Sequence, residues 1–315
     1  MKTRAKASNS RRKIVLDPAT DIRGINTEQE NPRSAGLDQL SALEIARIIN
    51  QEDQTVPAAI ESALPKIAEG IDAIAAAFRN GGRLIYVGTG TSGRLGALDS
   101  SECPPTFNAD PKLVQYVIAG GDAALGHAVE SSEDSPALGK KDIAQKRPSK
   151  KDVVCGLAAS GRTPYTVAAL EYARAKGART ICVTANPKSP IVAAADIAIA
   201  VEVGPEVVAG STRMKAGTMQ KLVLNMLTTG AFTKVGYVYD NLMVNVHLKN
   251  RKLVERGIGI VQRVTGLDYA AALHLLQQSK GSVPIALVMQ KTGTTRREAE
   301  KRLKKANYNL RKAIG

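Results

Sequence analysis

The sequence predicts an α/β fold: a parallel sheet sandwiched by helices, followed by a small C-terminal helical domain. Three observations point there. Between residues 84 and 203, short apolar runs bounded by turn residues alternate with helical stretches, the pattern of strands buried on both faces. Strand signals stop at Met214, beyond which only helical periodicity remains. At 315 residues and 43% hydrophobic content, the chain can hold one large α/β unit and a smaller one.

Residues 1–26 read as a basic, disordered tail, and residues 27–80 as an N-terminal arm and helices. Thr27–Gly36 is polar and turn-rich, Ser41–Asn50 is helical, and Thr55–Asn80 is a longer helix interrupted at Pro65 and stopped by Gly81-Gly82. The central unit, residues 81–250, carries expected strands at Leu84–Val87, Leu113–Ala119, Val153–Ala158, Arg179–Thr184 and Ile197–Val203. Its first helix should be cut short by Pro104-Pro105, and its last is a long amphipathic helix over Lys215–Phe232. Residues 251–315 form the C-terminal helical domain, with Asp268 and Ser282 as caps and Thr295-Arg-Arg-Glu298 as a capping box. Those helices hold few large apolar residues, so they are expected to dock on something else.

The formal charge of +15 sits mostly at the ends. The first 13 residues hold six basic side chains and no acid, and residues 291–315 hold nine basic and two acidic ones. The body is close to neutral, so the charge reads as solvated ends rather than specific nucleic-acid recognition. Aromatics are only 3% and Trp is absent, which leaves little for base stacking. No apolar run approaches the length of a membrane span, and the N-terminus lacks the apolar core of a secretory signal. A cytoplasmic location is expected, with an organellar transit peptide as the lesser alternative for this Arg/Ser-rich, acid-free start. Cys103, Cys155 and Cys182 have no metal spacing and read as small buried hydrophobes.

The chemistry concentrates in residues 84–105. Strand Leu84–Val87 empties into a Gly/Thr/Ser loop, Gly88–Gly93, and a helix behind it carries Glu102. Gly88, Gly90 and Gly93 spell G-x-G-x-x-G, but the next strand ends in Gly120-Gly121 without the acid that would bind a ribose. A Walker loop is excluded because no Lys-Ser or Lys-Thr follows the glycines. The loop reads instead as a cradle for a phosphate ester, with Thr91, Ser92 and Gly93 at a helix N-terminus. A second loop, Ser160-Gly161-Arg162-Thr163, echoes it, with Thr163 at an N-cap and Pro164 at the first helical position. A third, Gly210-Ser-Thr-Arg-Met-Lys215, offers Ser211 and Lys215. Glu102 and Glu133 could project over one cleft as a general acid–base pair, although spacing alone does not separate them from Asp99, Glu130 or Asp134. His127 reads as an ordinary surface residue.

Gly90-Thr-Ser-Gly-Arg-Leu-Gly, Ser101-Glu-Cys-Pro-Pro-Thr106, Ala158-Ala-Ser-Gly-Arg-Thr-Pro164, Gly210–Thr218 and Gln220-Lys-Leu-Val-Leu-Asn-Met226 together resemble the N-acetylmuramic acid 6-phosphate etherase family, from about Thr27 to the C-terminal helices. That resemblance implies a flavodoxin-like sugar isomerase (SIS) domain and a homodimer. It further implies cleavage of the D-lactyl ether to N-acetylglucosamine 6-phosphate and D-lactate, with no metal or organic cofactor. It places the catalytic acids on Glu102 and Glu133 and the phosphate-binding hydroxyls on Ser92, Ser160 and Thr163. Glu30 stands before Asn31 where the family commonly has Arg, and Asn245 stands where Asp is frequent. A non-catalytic sugar-phosphate sensor and an aldose–ketose phosphate isomerase are the competing expectations. Neither a specific nucleic-acid partner nor a membrane partner is expected.

Overall fold

The computed structural model describes residues 25–129, 132–248 and 250–315. The basic tail up to residue 24, together with Glu130, lies outside them. Three single 3-10 turns carry the arm into α1 (Ala42–Asp53), whose N-cap Ser41 forms a reciprocal capping box with Glu44. α2 (Thr55–Ile60) and α3 (Leu64–Arg79) follow, with Pro65 in the first turn of α3, where its missing N–H costs nothing.

The sheet then builds as β1 (Leu84–Gly88), α4 (Gly90–Phe107), β2 (Val114–Ile118), α5 (Ala123–Gly126), α6 (Pro136–Gln145), β3 (Val153–Leu157), α7 (Pro164–Ala175), β4 (Arg179–Thr184), α8 (Pro190–Ala194) and β5 (Ile197–Ala200). All pairings are parallel in the order β2-β1-β3-β4-β5. β1, β3 and most of β4 are buried throughout because helices cover both faces. One core joins α3, α4 and α9 (Lys215–Val235) to a sheet face, and the other packs α6, α7 and α8 on the opposite face.

Two expectations need correction. The Pro104-Pro105 pair does not stop the first helix: α4 continues to Phe107 and ends at Asn108 in the left-handed conformation. The prolines remove N–H donors only in the last turn, where Phe107 and Cys103 are held by burial in the main core. The helical end, α10 (Arg251–Thr265), α11 (Tyr269–Gln278), α12 (Val283–Thr292), α13 (Arg296–Lys305) and α14 (Leu310–Ile314), does not depend on a neighbour for its core. Leu276, Leu287, Leu303 and Leu310 close around small residues such as Ala286 and Ala299, with Val244 and Val246 contributed from the preceding segment. The expected caps at Asp268 and Ser282 and the Thr295–Glu298 capping box are all present. None of the described helices is long and apolar enough to cross a membrane.

Candidate active site

Strand order places the crevice. The chain leaves β1 toward β2 on one side and builds β3, β4 and β5 on the other, so the connections after β1 and β3 diverge around a gap. Ligands bind at such switch points, outside the carboxyl ends of the strands. Gly88 pairs in register with Leu157, which sets residues 89–93 beside residues 158–163. The two loops singled out by composition therefore face one crevice.

The first loop is shorter than expected. α4 begins at Gly90, so Thr91, Ser92 and Gly93 form its first turn; the Thr91 and Ser92 N–H groups have no partner along the helix, whereas Gly93 N donates to the Thr89 carbonyl at 2.9 Å. Thr89 is the N-cap in an extended conformation and makes no side-chain cap, leaving the positive helix end open to an anion. Gly90 has φ +48°, and a Cβ there would sit 3.4 Å from Glu133 Oε1. Glu133 thus lies at the α4 N-terminus, and its carbonyl accepts from Tyr165 N at 3.1 Å, which ties it to the first turn of α7.

In the second loop, Arg162 N donates to Ser160 Oγ at 3.3 Å, and Asn186 Nδ2 donates to the Ser160 carbonyl at 3.2 Å. Gly161 has φ +68°, and a Cβ there would come within 2.0 Å of Ser189 Oγ, so only glycine fits. Thr163 occupies the N-cap of α7 with Pro164 behind it, but its hydroxyl makes no cap. The N–H groups of Tyr165, Thr166 and Val167 already donate to the carbonyls of Glu133 and Thr163, and Pro164 has none, so the Thr163 hydroxyl is what the start of α7 presents. Arg162 and Thr163 are both half-buried.

The third segment joins through α9. A Cβ on Gly217 would lie 3.6 Å from Thr91 Cγ2, so the first turns of α9 and α4 face each other. Ser211 is half-buried in the tight turn before α9, its carbonyl accepting from Met214 N. Lys215 is placed differently from expectation. A helical side chain leans back toward the N-terminus, and here that carries the Lys215 ammonium into the interior, 2.5 Å from Glu52 Oε2, with both residues buried. Glu52 also accepts from Asn31 and Arg33, while the fully buried Glu206 accepts from Lys215 N and Ala216 N. This network fastens the N-terminal arm to the start of α9.

The comparisons with known proteins decide the family. An "N-acetylmuramic acid 6-phosphate etherase" of Photorhabdus laumondii is 51% identical over 294 residues, covering 93% of this chain and 98% of that one. One from Actinobacillus pleuropneumoniae serotype 5b is 49% identical over 91% of this chain and 95% of its own. One from Pasteurella multocida is 51% identical over 93% and 97%. The chain belongs to the N-acetylmuramic acid 6-phosphate etherase family. Residues 66–174 match the description "Glucokinase regulatory protein N-terminal SIS domain", and residues 145–230 match "SIS domain". Among solved structures, a phosphoheptose isomerase from Francisella tularensis is similar over 62% of this chain and 98% of its own, with a TM-score of 0.45 and 18% identity.

Within this etherase-family chain the two glutamates stand apart. Glu133 touches the first residue of α4, whereas Glu102 is twelve residues farther along the same helix, about 18 Å at 1.5 Å per residue. The two βα units do not aim their acids over one cleft of the same subunit. Glu102 is exposed and opens on a 180 Å³ cavity with Leu98, Asp99, Lys221 and Asn225. Asp99 accepts from Tyr86 Oη at 2.8 Å and Thr228 Oγ1 at 3.1 Å. Burial pushes its carboxyl up to about 6, against the downward pull of those hydrogen bonds and the Lys221 charge.

The sequence reading passes over Gln220, Lys221 and Asn225 on α9, although the i, i+4 spacing of Lys221 and Asn225 would have put both on one face. Ser92 Oγ donates to Gln220 Oε1 at 2.9 Å, a contact between residues 128 positions apart that no local pattern reveals. His127 is exposed, and its carbonyl takes a hydrogen bond from Arg94. The three cysteines are buried and free, and burial raises each thiol, Cys182 to about 12. Among the described residues no group of His, Cys, Asp and Glu side chains is placed to hold a metal ion. The larger 610 Å³ cavity lies at the amino ends of β3, β4 and β5, away from the crevice.

Proposed function

We propose that this chain cleaves the D-lactyl ether of N-acetylmuramic acid 6-phosphate, giving N-acetylglucosamine 6-phosphate and D-lactate, and that the reaction runs by elimination and hydration. The observation that carries the reading is the pairing of two Gly/Ser/Thr loops across one switch-point crevice, with Glu133 at its edge, in a chain of this family. Thr91, Ser92 and Gly93 on one side, and Ser160, Gly161, Arg162 and Thr163 on the other, hold the phosphate, with Ser211 at the α9 side. Lys215 contributes through Glu52 by fixing where α9 begins. Residues 81–250 form the sugar-phosphate-binding unit and residues 251–315 a helical companion.

The substrate reacts as its open-chain aldehyde. The C2 proton is then α to a carbonyl, and Glu133 as general base removes it. The electron pair forms the C2–C3 double bond while the C3–O bond breaks, and Glu102 as general acid protonates the departing lactate oxygen. Glu102, now a carboxylate, takes a proton from water as the oxygen adds to C3, and Glu133 returns a proton to C2. Phosphate anchoring supplies orientation at a distance from the reacting carbons.

C2 and C3 are adjacent atoms, yet about 18 Å of helix separates the positions of the two acids in one chain. The reaction therefore uses Glu133 of one subunit and Glu102 of a second copy, in a homodimer packed along α4. The exposed Leu98, one turn before Glu102, marks the face that the second copy covers. Purified protein should release D-lactate from N-acetylmuramic acid 6-phosphate stoichiometrically with N-acetylglucosamine 6-phosphate. Tight binding of the sugar phosphate without lactate would refute the enzymatic reading in favour of a sensor.

A further inference from the structure

We propose that Gln220 is a positioning residue for phosphate recognition, whose side-chain amide decides whether the Ser92 hydroxyl can donate to the substrate. The inference rests on the reading that Ser92 meets the phosphate and adds the residue that controls it. Both side chains are buried, Ser92 at 8% exposure and Gln220 at 1%. The Ser92 hydroxyl has one hydrogen, and it is directed inward to Gln220 Oε1 at 2.9 Å. A phosphate oxygen accepts only, so in this arrangement the Ser92 hydroxyl has nothing to offer it.

A second anomaly lies on the same side chain. Gln220 Nε2 is buried with no hydrogen-bond partner among the described residues, although it carries two donors. Buried donors are almost always paired, and an orphan of this kind calls for a cause. One movement pairs the nitrogen and frees the hydroxyl, leaving Oε1 in place of Nε2 as the unpaired atom. Turning the amide by half a revolution exchanges oxygen and nitrogen within nearly the same volume. Nε2 then donates to Ser92 Oγ, and the Ser92 hydrogen is released toward the crevice, where a phosphate oxygen accepts it. The bound phosphate and the flipped amide support each other, because each supplies what the other arrangement lacks.

The surroundings hold Gln220 where this exchange works. Glu206 caps α9 at Lys215 N and Ala216 N, and the buried Lys215–Glu52 pair fixes the first turn against the arm. Thr91 and Gly217 face each other one turn away, so the start of α9 lies against the start of α4. Gln220 does not touch substrate in this scheme. It acts through Ser92.

The test is a double-mutant cycle on steady-state cleavage of N-acetylmuramic acid 6-phosphate. Gln220→Glu offers only acceptors when ionised and locks the Ser92 hydrogen inward. It should raise KM about tenfold or more while kcat stays within about threefold, the signature of lost uniform binding. Ser92→Ala should raise KM as well, and adding Gln220→Glu to it should change KM no further, because both act through one hydroxyl. Gln220→Met buries no charge and guards against misfolding of the Glu variant, with melting temperature followed in parallel. It removes the inward acceptor together with the supporting donor, so its KM should fall between those of the wild type and Gln220→Glu, and only while Ser92 is present. An unchanged KM in Ser92→Ala would overturn the phosphate reading itself. A KM raised by Ser92→Ala but not by either Gln220 variant, or raised equally by them with and without Ser92, would overturn the role of Gln220.

Discussion

Replacing Asp99 by Asn removes a carboxylate that the fold holds in a costly place. Asp99, on α4, sits between Tyr86 and Thr228, and burial raises its carboxyl from 3.8 to about 6. The direction of the linkage follows from that shift. A carboxyl raised on folding contributes stability that is full below its unfolded value of 3.8 and is lost as pH rises through about 6. Between pH 7.5 and pH 5 the folded protein binds most of one extra proton at this site, worth about 1.4 kcal/mol of added stability at pH 5. Urea unfolding at the two pH values, at fixed ionic strength, measures the difference. Asp99→Asn keeps an oxygen and a polar nitrogen for Thr228 and Tyr86 but cannot titrate, so its pH dependence should be flatter than that of the wild type by about 1 kcal/mol. Taking the difference between the two proteins cancels the histidines and other carboxylates. Parallel pH profiles for both would refute the burial argument, and with it the view of Asp99 as a strained neighbour of Glu102.

Other perturbations test separate parts of the architecture. Lys215→Met leaves Glu52 buried without its closest partner and should cost about 3–5 kcal/mol, visible as a lower melting temperature with weaker substrate binding. Burial pushes Glu52 up, but the hydrogen bonds from Lys215 and Asn31 and the Lys215 and Arg33 charges outweigh it and hold the group below 4.5. Its contribution should accordingly persist above pH 4.5 and fade as acid titrates it below that, which acid unfolding of wild type against Glu52→Gln would register. Gly161→Ala forces a methyl onto Ser189 Oγ at a positive φ and should destabilise by roughly 2–4 kcal/mol in thermal melts. A wild-type melting temperature there would show that the loop is looser than described. Glu102→Gln should retain exchange of the substrate C2 proton with deuterated solvent while losing lactate release, and Glu133→Gln should lose both, as followed by proton NMR.

The alternation of apolar runs made the sheet legible, because a strand covered on both faces writes its burial directly into four or five successive residues. β4 falls on the expected residues Arg179–Thr184. What failed were features decided over distance. Pro104 and Pro105 look like a stop, but tertiary burial of Cys103 and Phe107 carries α4 through them. The helical end holds few large apolar residues and was expected to dock elsewhere, yet Ala272, Ala286 and Ala299 let its helices approach closely enough to enclose the leucines. The two candidate loops were visible from Gly, Ser and Thr spacing, and β1–β3 register brings them together. Lys215 could not be placed, since its partner Glu52 is 163 residues away. Neither could the separation of Glu102 from Glu133, which depends on α4 running on without a break.

That separation gives the most direct test of the account. Glu102→Gln and Glu133→Gln subunits, carrying different affinity tags, can be co-expressed and the mixed dimer isolated through both tags. If each site takes Glu133 from one subunit and Glu102 from the other, the mixed dimer contains one intact site and should recover about half of the wild-type D-lactate release, while each single-variant dimer stays inactive. Activity no higher in the mixed dimer than in its two parents would contradict the shared site.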